Sequence, residues 1–157
     1  MFRNDPQFAC ALEALDRGDF SNAEAVLGVL LESAEATDER AFLLNKRGVA
    51  RIGLELRELA RDDFREALAA HDGYAPALTN LGNLALESGD FEAAIAQYER
   101  AIANDAEYAI AVLNLGVAYK RAGRIDEAVR AFRRAQRLEQ RARAPSASTF
   151  WPRARPR

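Results

Sequence analysis

The chain is poor in the residues that most often carry chemistry. Among 157 residues it has one cysteine, Cys10, one histidine, His71, one methionine, Met1, and one tryptophan, Trp151. A lone cysteine cannot close an internal disulfide, which agrees with a reducing compartment. Cys10 occupies a helix-packing column and has no histidine near it in sequence, so a buried, inert thiol is expected. His71 falls between two apolar rows, where a solvated loop residue is expected. No cluster with metal-ligand spacing and no glycine-rich phosphate loop occurs, so no metal, no cofactor and no catalysis are expected. Missing too are an apolar run of about 18 residues that could span a bilayer and, in the first twenty residues, the basic-then-apolar layout of a secretory signal. The expected compartment is the cytosol.

Glycine and proline are scarce, at nine and five, while alanine, leucine, glutamate and arginine dominate. That composition favours helices over strands. A hydrophobic content of 49% suffices for a core, and one all-α domain is expected. Arginine outnumbers lysine 20 to 2, a bias that points to a GC-rich, bacterial genome. The net charge of −2 conceals an asymmetry, with −6 over residues 1–40, 0 over 41–74, −5 over 75–108, +5 over 109–142 and +4 over 143–157.

Written in rows of 34, residues 41–74, 75–108 and 109–142 align without gaps. Row position 8 holds Gly48, Gly82 and Gly116; position 20 holds Ala60, Ala94 and Ala128; position 24 holds Phe64, Tyr98 and Phe132; position 27 holds Ala67, Ala101 and Ala135. Setting Gly18-Asp19-Phe20 against Gly89-Asp90-Phe91 places an earlier copy at residues 4–37, with residues 38–40 inserted after it. Within a row the apolar residues fall at helical spacing, for example Phe91, Ala94, Ile95, Tyr98, Ala101 and Ile102. Gly89 and Gly123 divide each row into two helices, and Asp90 stands where a cap is needed. Small residues at positions 8 and 20 allow close helix approach, and one such hairpin must stack on neighbours to bury its apolar face.

The pattern resembles the tetratricopeptide repeat family, most fully in the fourth row with Val112, Leu115-Gly116, Tyr119, Ala128, Phe132 and Ala135. The first repeat departs from it at Ala11 and Leu27, and the second places Arg47 and Arg51 where leucine and tyrosine are usual. Arginine stems can pack there while their heads reach the acidic first repeat. The resemblance implies a right-handed superhelical solenoid of four helix-turn-helix repeats over residues 4–142, with a flexible Pro/Arg-rich tail over 143–157. First helices would line a concave groove and second helices the convex back.

Groove positions then include Asn45, Lys46, Val49, Thr79, Asn80, Asn83, Glu87, Leu113, Asn114, Val117, Lys120 and Arg121. A ladder of Asn80, Asn83 and Asn114 is suited to the backbone of an extended peptide, and Lys46, Lys120 and Arg121 to an acidic side chain or terminal carboxylate. The plainer reading is a solvated inner face. Of the residues by which some family members clamp a chaperone terminus only Asn80 is present, so that ligand is not expected. A second candidate is the basic stripe of Arg130, Arg133, Arg134, Arg137 and Arg141, suited to an acidic protein or another copy's acidic end, or simply a polar outer face. Nucleic acid is not expected, because no aromatics interleave these arginines and the pI is near 5.6. Phe150 and Trp151 are a candidate docking pair in the tail. Carboxylates such as Asp62 and Asp63, beside Arg61 and Arg65, fit a solvated charged face. The expected function is an adaptor holding a protein or peptide partner in the groove; the alternative is a scaffold, a homo-oligomer stacked head to tail by its charged ends.

Overall fold

The computed structural model describes residues 5–143, which form eight helices: α1 (Pro6–Arg17), α2 (Phe20–Ser33), α3 (Thr37–Gly53), α4 (Arg57–Ala70), α5 (Ala75–Glu87), α6 (Phe91–Asn104), α7 (Ala109–Arg121) and α8 (Ile125–Arg143). Acidic residues open three of them. The carboxylates of Asp5, Asp19 and Asp90 accept from the backbone N–H of Gln7, Asn22 and Ala93 at 2.8, 3.3 and 3.0 Å, satisfying donors that a helix N-terminus otherwise leaves unpaired. Each helix packs on the next, and α5 also meets α7, so the pairs α1–α2, α3–α4, α5–α6 and α7–α8 stack as the four-repeat solenoid that the 34-residue period implies. Among the described residues no helix is long and apolar enough to cross a membrane.

The spacing of helices within a pair follows from two columns of the repeat. Ideal Cβ atoms built on Gly48, Gly82 and Gly116 would lie 2.4, 2.6 and 2.7 Å from ring carbons of Phe64, Tyr98 and Phe132. The ring of the second helix therefore lies on the bare backbone of the first. Phe64 and Tyr98 are fully buried there, worth roughly 2–3 kcal/mol each by area alone. In the first repeat Ala11 and Leu27 make the opposite trade, a larger residue against a smaller one, and both are fully buried.

Three sequence expectations are corrected here. Cys10 is exposed, because α1 is the first described helix and packs chiefly on α2, which leaves its other side uncovered. Arg143 belongs to α8, so the helix runs one residue into the segment assigned to the tail. Asp63 is 1% exposed, not solvated. Arg47 Nε and Nη2 donate to its two carboxylate oxygens at 3.1 and 2.6 Å, and Arg51 Nη1 pairs with it at 2.9 Å. Arg51 also reaches Glu24 of the first repeat at 3.1 Å, so one of the two arginine heads does cross the joint. The Arg47 guanidinium holds its proton more tightly than usual, chiefly through its hydrogen bonds to Asp63 and despite partial burial. The inserted residues 38–40 form the first turn of α3, from which Asp38 meets His71 at 2.8 Å. His71 is exposed, as expected, yet has this partner and lies against Tyr74 with ring centroids 5.6 Å apart.

The turns within pairs show one irregularity. Gly18, Gly89 and Gly123 take φ of +76°, +83° and +78°, and the second repeat puts Glu55 in the same column at φ 62°. An L-residue there costs about 1–2 kcal/mol, of which glycine's extra unfolded-state freedom returns part. Glu55→Gly is expected to raise stability by about 0.5 kcal/mol in urea unfolding while Glu55→Ala gains nothing, since the strain is backbone strain. Asp63→Asn, which leaves the half-buried Arg47 guanidinium without a carboxylate and Arg51 with Glu24 alone, is expected to cost about 3 kcal/mol, whereas the exposed neighbour change Asp62→Asn costs almost nothing by the same measurement.

Candidate functional site

The inner faces of α3, α5 and α7 carry the asparagines, and the structure puts them to a use that differs from the expected ladder. Asn80 Nδ2 donates to Asn45 Oδ1 at 2.9 Å, tying α5 to α3. Asn114 Nδ2 donates to Asn83 Oδ1 at 2.9 Å, tying α7 to α5, and the same oxygen accepts from the Tyr98 hydroxyl at 2.7 Å. These amides therefore stitch adjacent repeats together. Asn45 and Thr79, expected in the groove, are 6% and 2% exposed because the following first helix covers row position 5. Leu113 occupies that position in the fourth repeat, where no described helix follows, and is 42% exposed. The Thr79 hydroxyl has no hydrogen-bond partner among the described residues. Burial pushes the Tyr98 hydroxyl well above the usual tyrosine range, with the nearby Glu87 carboxylate adding to it.

What the groove offers a ligand is what remains after these bonds. Asn80 Oδ1 and Asn83 Nδ2 carry no hydrogen bond from the described residues, and both side chains line a cavity of about 130 Å³ walled by Val49, Ile52, Phe64 and Leu84, with Glu87 at its edge. A second cleft, of about 580 Å³, adjoins it and shares Leu84 and Glu87. Its lining includes Arg57, Glu58, Arg61 and Arg121. Val117 is half-buried while Lys120 and Arg121 are exposed, and the Lys46 ammonium lies 5.5 Å from the centre of the Phe42 ring. Farther along α7, the Tyr119 hydroxyl donates to Glu99 at 2.8 Å; burial first and this bond second push it up to about 12.

The basic stripe divides. Arg134 Nη2 donates to the Ala106 carbonyl at 2.9 Å and Arg141 approaches Glu107 at 4.0 Å, so both lean on the turn before α7. Arg130, Arg133 and Arg137 are exposed. Phe150 and Trp151 lie outside the described residues.

Sequence reasoning missed the Asp63 network and the arginine-lined cleft. The first had a signal, because row position 23 holds Asp63, Gln97 and Ala131, so the acid appears in the one repeat whose first helix carries Arg47 and Arg51. The second had none, since Arg57 and Arg61 sit on the second helix of one repeat and share a cleft with Arg121 only across two repeat boundaries.

Comparison with known proteins agrees with this architecture. Two models of the tetratricopeptide repeat match residues 32–107 and 79–148 and overlap at their shared repeat, so that together they cover well over half of the chain. A crystal structure of MamA superposes with a TM-score of 0.71 at 25% identity, over 90% of this chain and 84% of that one. MamA 41-end from Desulfovibrio magneticus RS-1 gives 0.67 at 22% identity, over 85% and 74%. The second TPR of Spaghetti (RPAP3), solved bound to the HSP90 peptide SRMEEVD, gives 0.61 at 24% identity over 64% of this chain and 94% of that one. With its row columns, its helix pairs and these matches in agreement, the chain belongs to the tetratricopeptide repeat family.

Proposed function

We propose that the protein is an interaction module whose concave face, along α3, α5 and α7, holds an extended or helical segment of a partner protein. The observation that carries this reading is the cavity between α3 and α5, in which aliphatic and aromatic walls from Val49, Ile52, Phe64 and Leu84 meet the unspent amide groups of Asn80 and Asn83. An apolar recess beside a few fixed polar groups suits a side chain of a peptide whose backbone is held by the amides. Support comes also from the solved peptide complex of the RPAP3 repeat, which has the same fold.

Alanine at Asn83 is a poor test, because it leaves the buried Tyr98 hydroxyl without its acceptor. Val49→Trp is better, since it fills the open cavity from a half-buried position. The variant is expected to keep its helicity and to retain at least tenfold less partner than wild type in affinity capture followed by mass spectrometry. Equal retention of every partner would reject the groove.

Head-to-tail assembly is the second reading, favoured by one observation. Val129 and Leu113 are 41% and 42% exposed, whereas their equivalents one row earlier, Ile95 and Thr79, are 4% and 2% exposed under the following repeat. The last described repeat thus presents apolar surface together with basic charge, and the first repeat is acidic. Light scattering is expected to show growth with protein concentration that high salt reverses; a monomer at every concentration and salt level excludes this assembly.

A further inference from the structure

From the cleft that adjoins the groove cavity we infer a carboxylate-binding subsite formed by Arg57, Arg61 and Arg121, in which the protein's own Glu87 occupies the place of the ligand's carboxylate until a partner segment displaces it. This rests on the groove reading above and specifies the ligand: a segment with an aliphatic side chain for the cavity and, a few residues away, an Asp, a Glu or a terminal carboxylate for the cleft.

Charge is the first argument. Three guanidiniums face two carboxylates, Glu58 and Glu87, in a cleft of about 580 Å³. Arg61 is held by Glu58 at 3.2 Å within one turn of α4. Arg57 is held by Glu87 across the repeat boundary, and Arg121 has no carboxylate partner among the described residues. Guanidinium is weakly hydrated and binds carboxylate through two parallel N–H donors, so an arginine facing open solvent in a concave site is suited to an incoming carboxylate.

Position is the second. Glu87 lines both the cavity and the cleft, and Leu84 is common to both walls, so a peptide seated with a side chain against Val49 and Ile52 passes directly over Glu87. The Arg57–Glu87 pair is exposed, at 55% and 52% of the two side chains, and an exposed ion pair contributes little to stability. Exchanging one carboxylate for another at Arg57 therefore costs little, while Arg121 gains a partner. These residues lie at row positions 17, 21 and 13, apart from the clamp positions of which this chain has only Asn80. In the first repeat joint the same two positions hold Phe20 and Gly53, with the Phe20 ring carbon 2.3 Å from an ideal Gly53 Cβ, so the boundary filled there by an apolar plug is here filled by a displaceable charge.

The test is selection of a random heptapeptide phage library on the full chain, followed by fluorescence anisotropy of the best synthetic peptide and its Glu/Asp-to-Gln/Asn analogue. Enriched peptides are expected to pair an aliphatic residue with an acidic one, and the amide analogue to bind at least tenfold more weakly. Arg57→Ala and Arg121→Ala are expected to weaken the acidic peptide at least fivefold while leaving the analogue unchanged, and Glu87→Gln to strengthen the acidic peptide severalfold. All three side chains are exposed, so circular dichroism and melting should match wild type. Enriched peptides lacking acidic residues, or an acid preference that survives Arg57→Ala and Arg121→Ala, would overturn the subsite and leave the groove standing. A library that enriches no sequence overturns both.

Discussion

The aromatic ring laid on a glycine backbone is the contact from which the other distances in this molecule follow. Gly48 beneath Phe64, Gly82 beneath Tyr98 and Gly116 beneath Phe132 bring the two helices of a repeat closer than any side chain would permit. That closeness sets where the next first helix can land, and hence which positions the stacking buries. Thr79 and Ile95 disappear under the fourth repeat for this reason, and Leu113 and Val129, one row later, do not. The concave face is the residue of the same geometry: three first helices held side by side, with amides bridging them.

Much of this was legible in the rows of the sequence. The glycine, alanine and aromatic columns specify helix pairs and their order, because a column of matched size records a contact that every repeat makes. Contacts made once leave no column. Glu55 in a left-handed turn breaks a glycine column without any outward sign of what φ it adopts. Cys10 sits in a packing column yet is exposed, since a column describes interior repeats and no described helix packs on α1 from the other side. Asp63 is the instructive case, where the acid and the arginines each violate the pattern and only together make sense.

The candidate site was harder to see for a related reason. Asparagine at row positions 6 and 9 reads equally well as ligand contact or as structure, because an amide has donors and acceptors enough for both. Here each of the three spends part of that capacity on a neighbouring repeat, and Asn80 and Asn83 keep the rest for the cavity. The arginine cleft is built from two second-helix residues and one first-helix residue three elements later, a juxtaposition that exists only after stacking.

The Glu24–Arg51–Asp63 chain of charges also bears on how freely the repeats of this array could be exchanged. Arg51 completes its pairing with an acid from the preceding unit, at row position 21, and the later repeats hold Arg61, Ile95 and Val129 there. The second repeat therefore carries an address as well as a shape: copied or moved behind any other unit of this chain, it would fit by its glycine and its ring but would bring an arginine that had left one of its two carboxylates behind. In an architecture built of interchangeable parts, this one is keyed to its place.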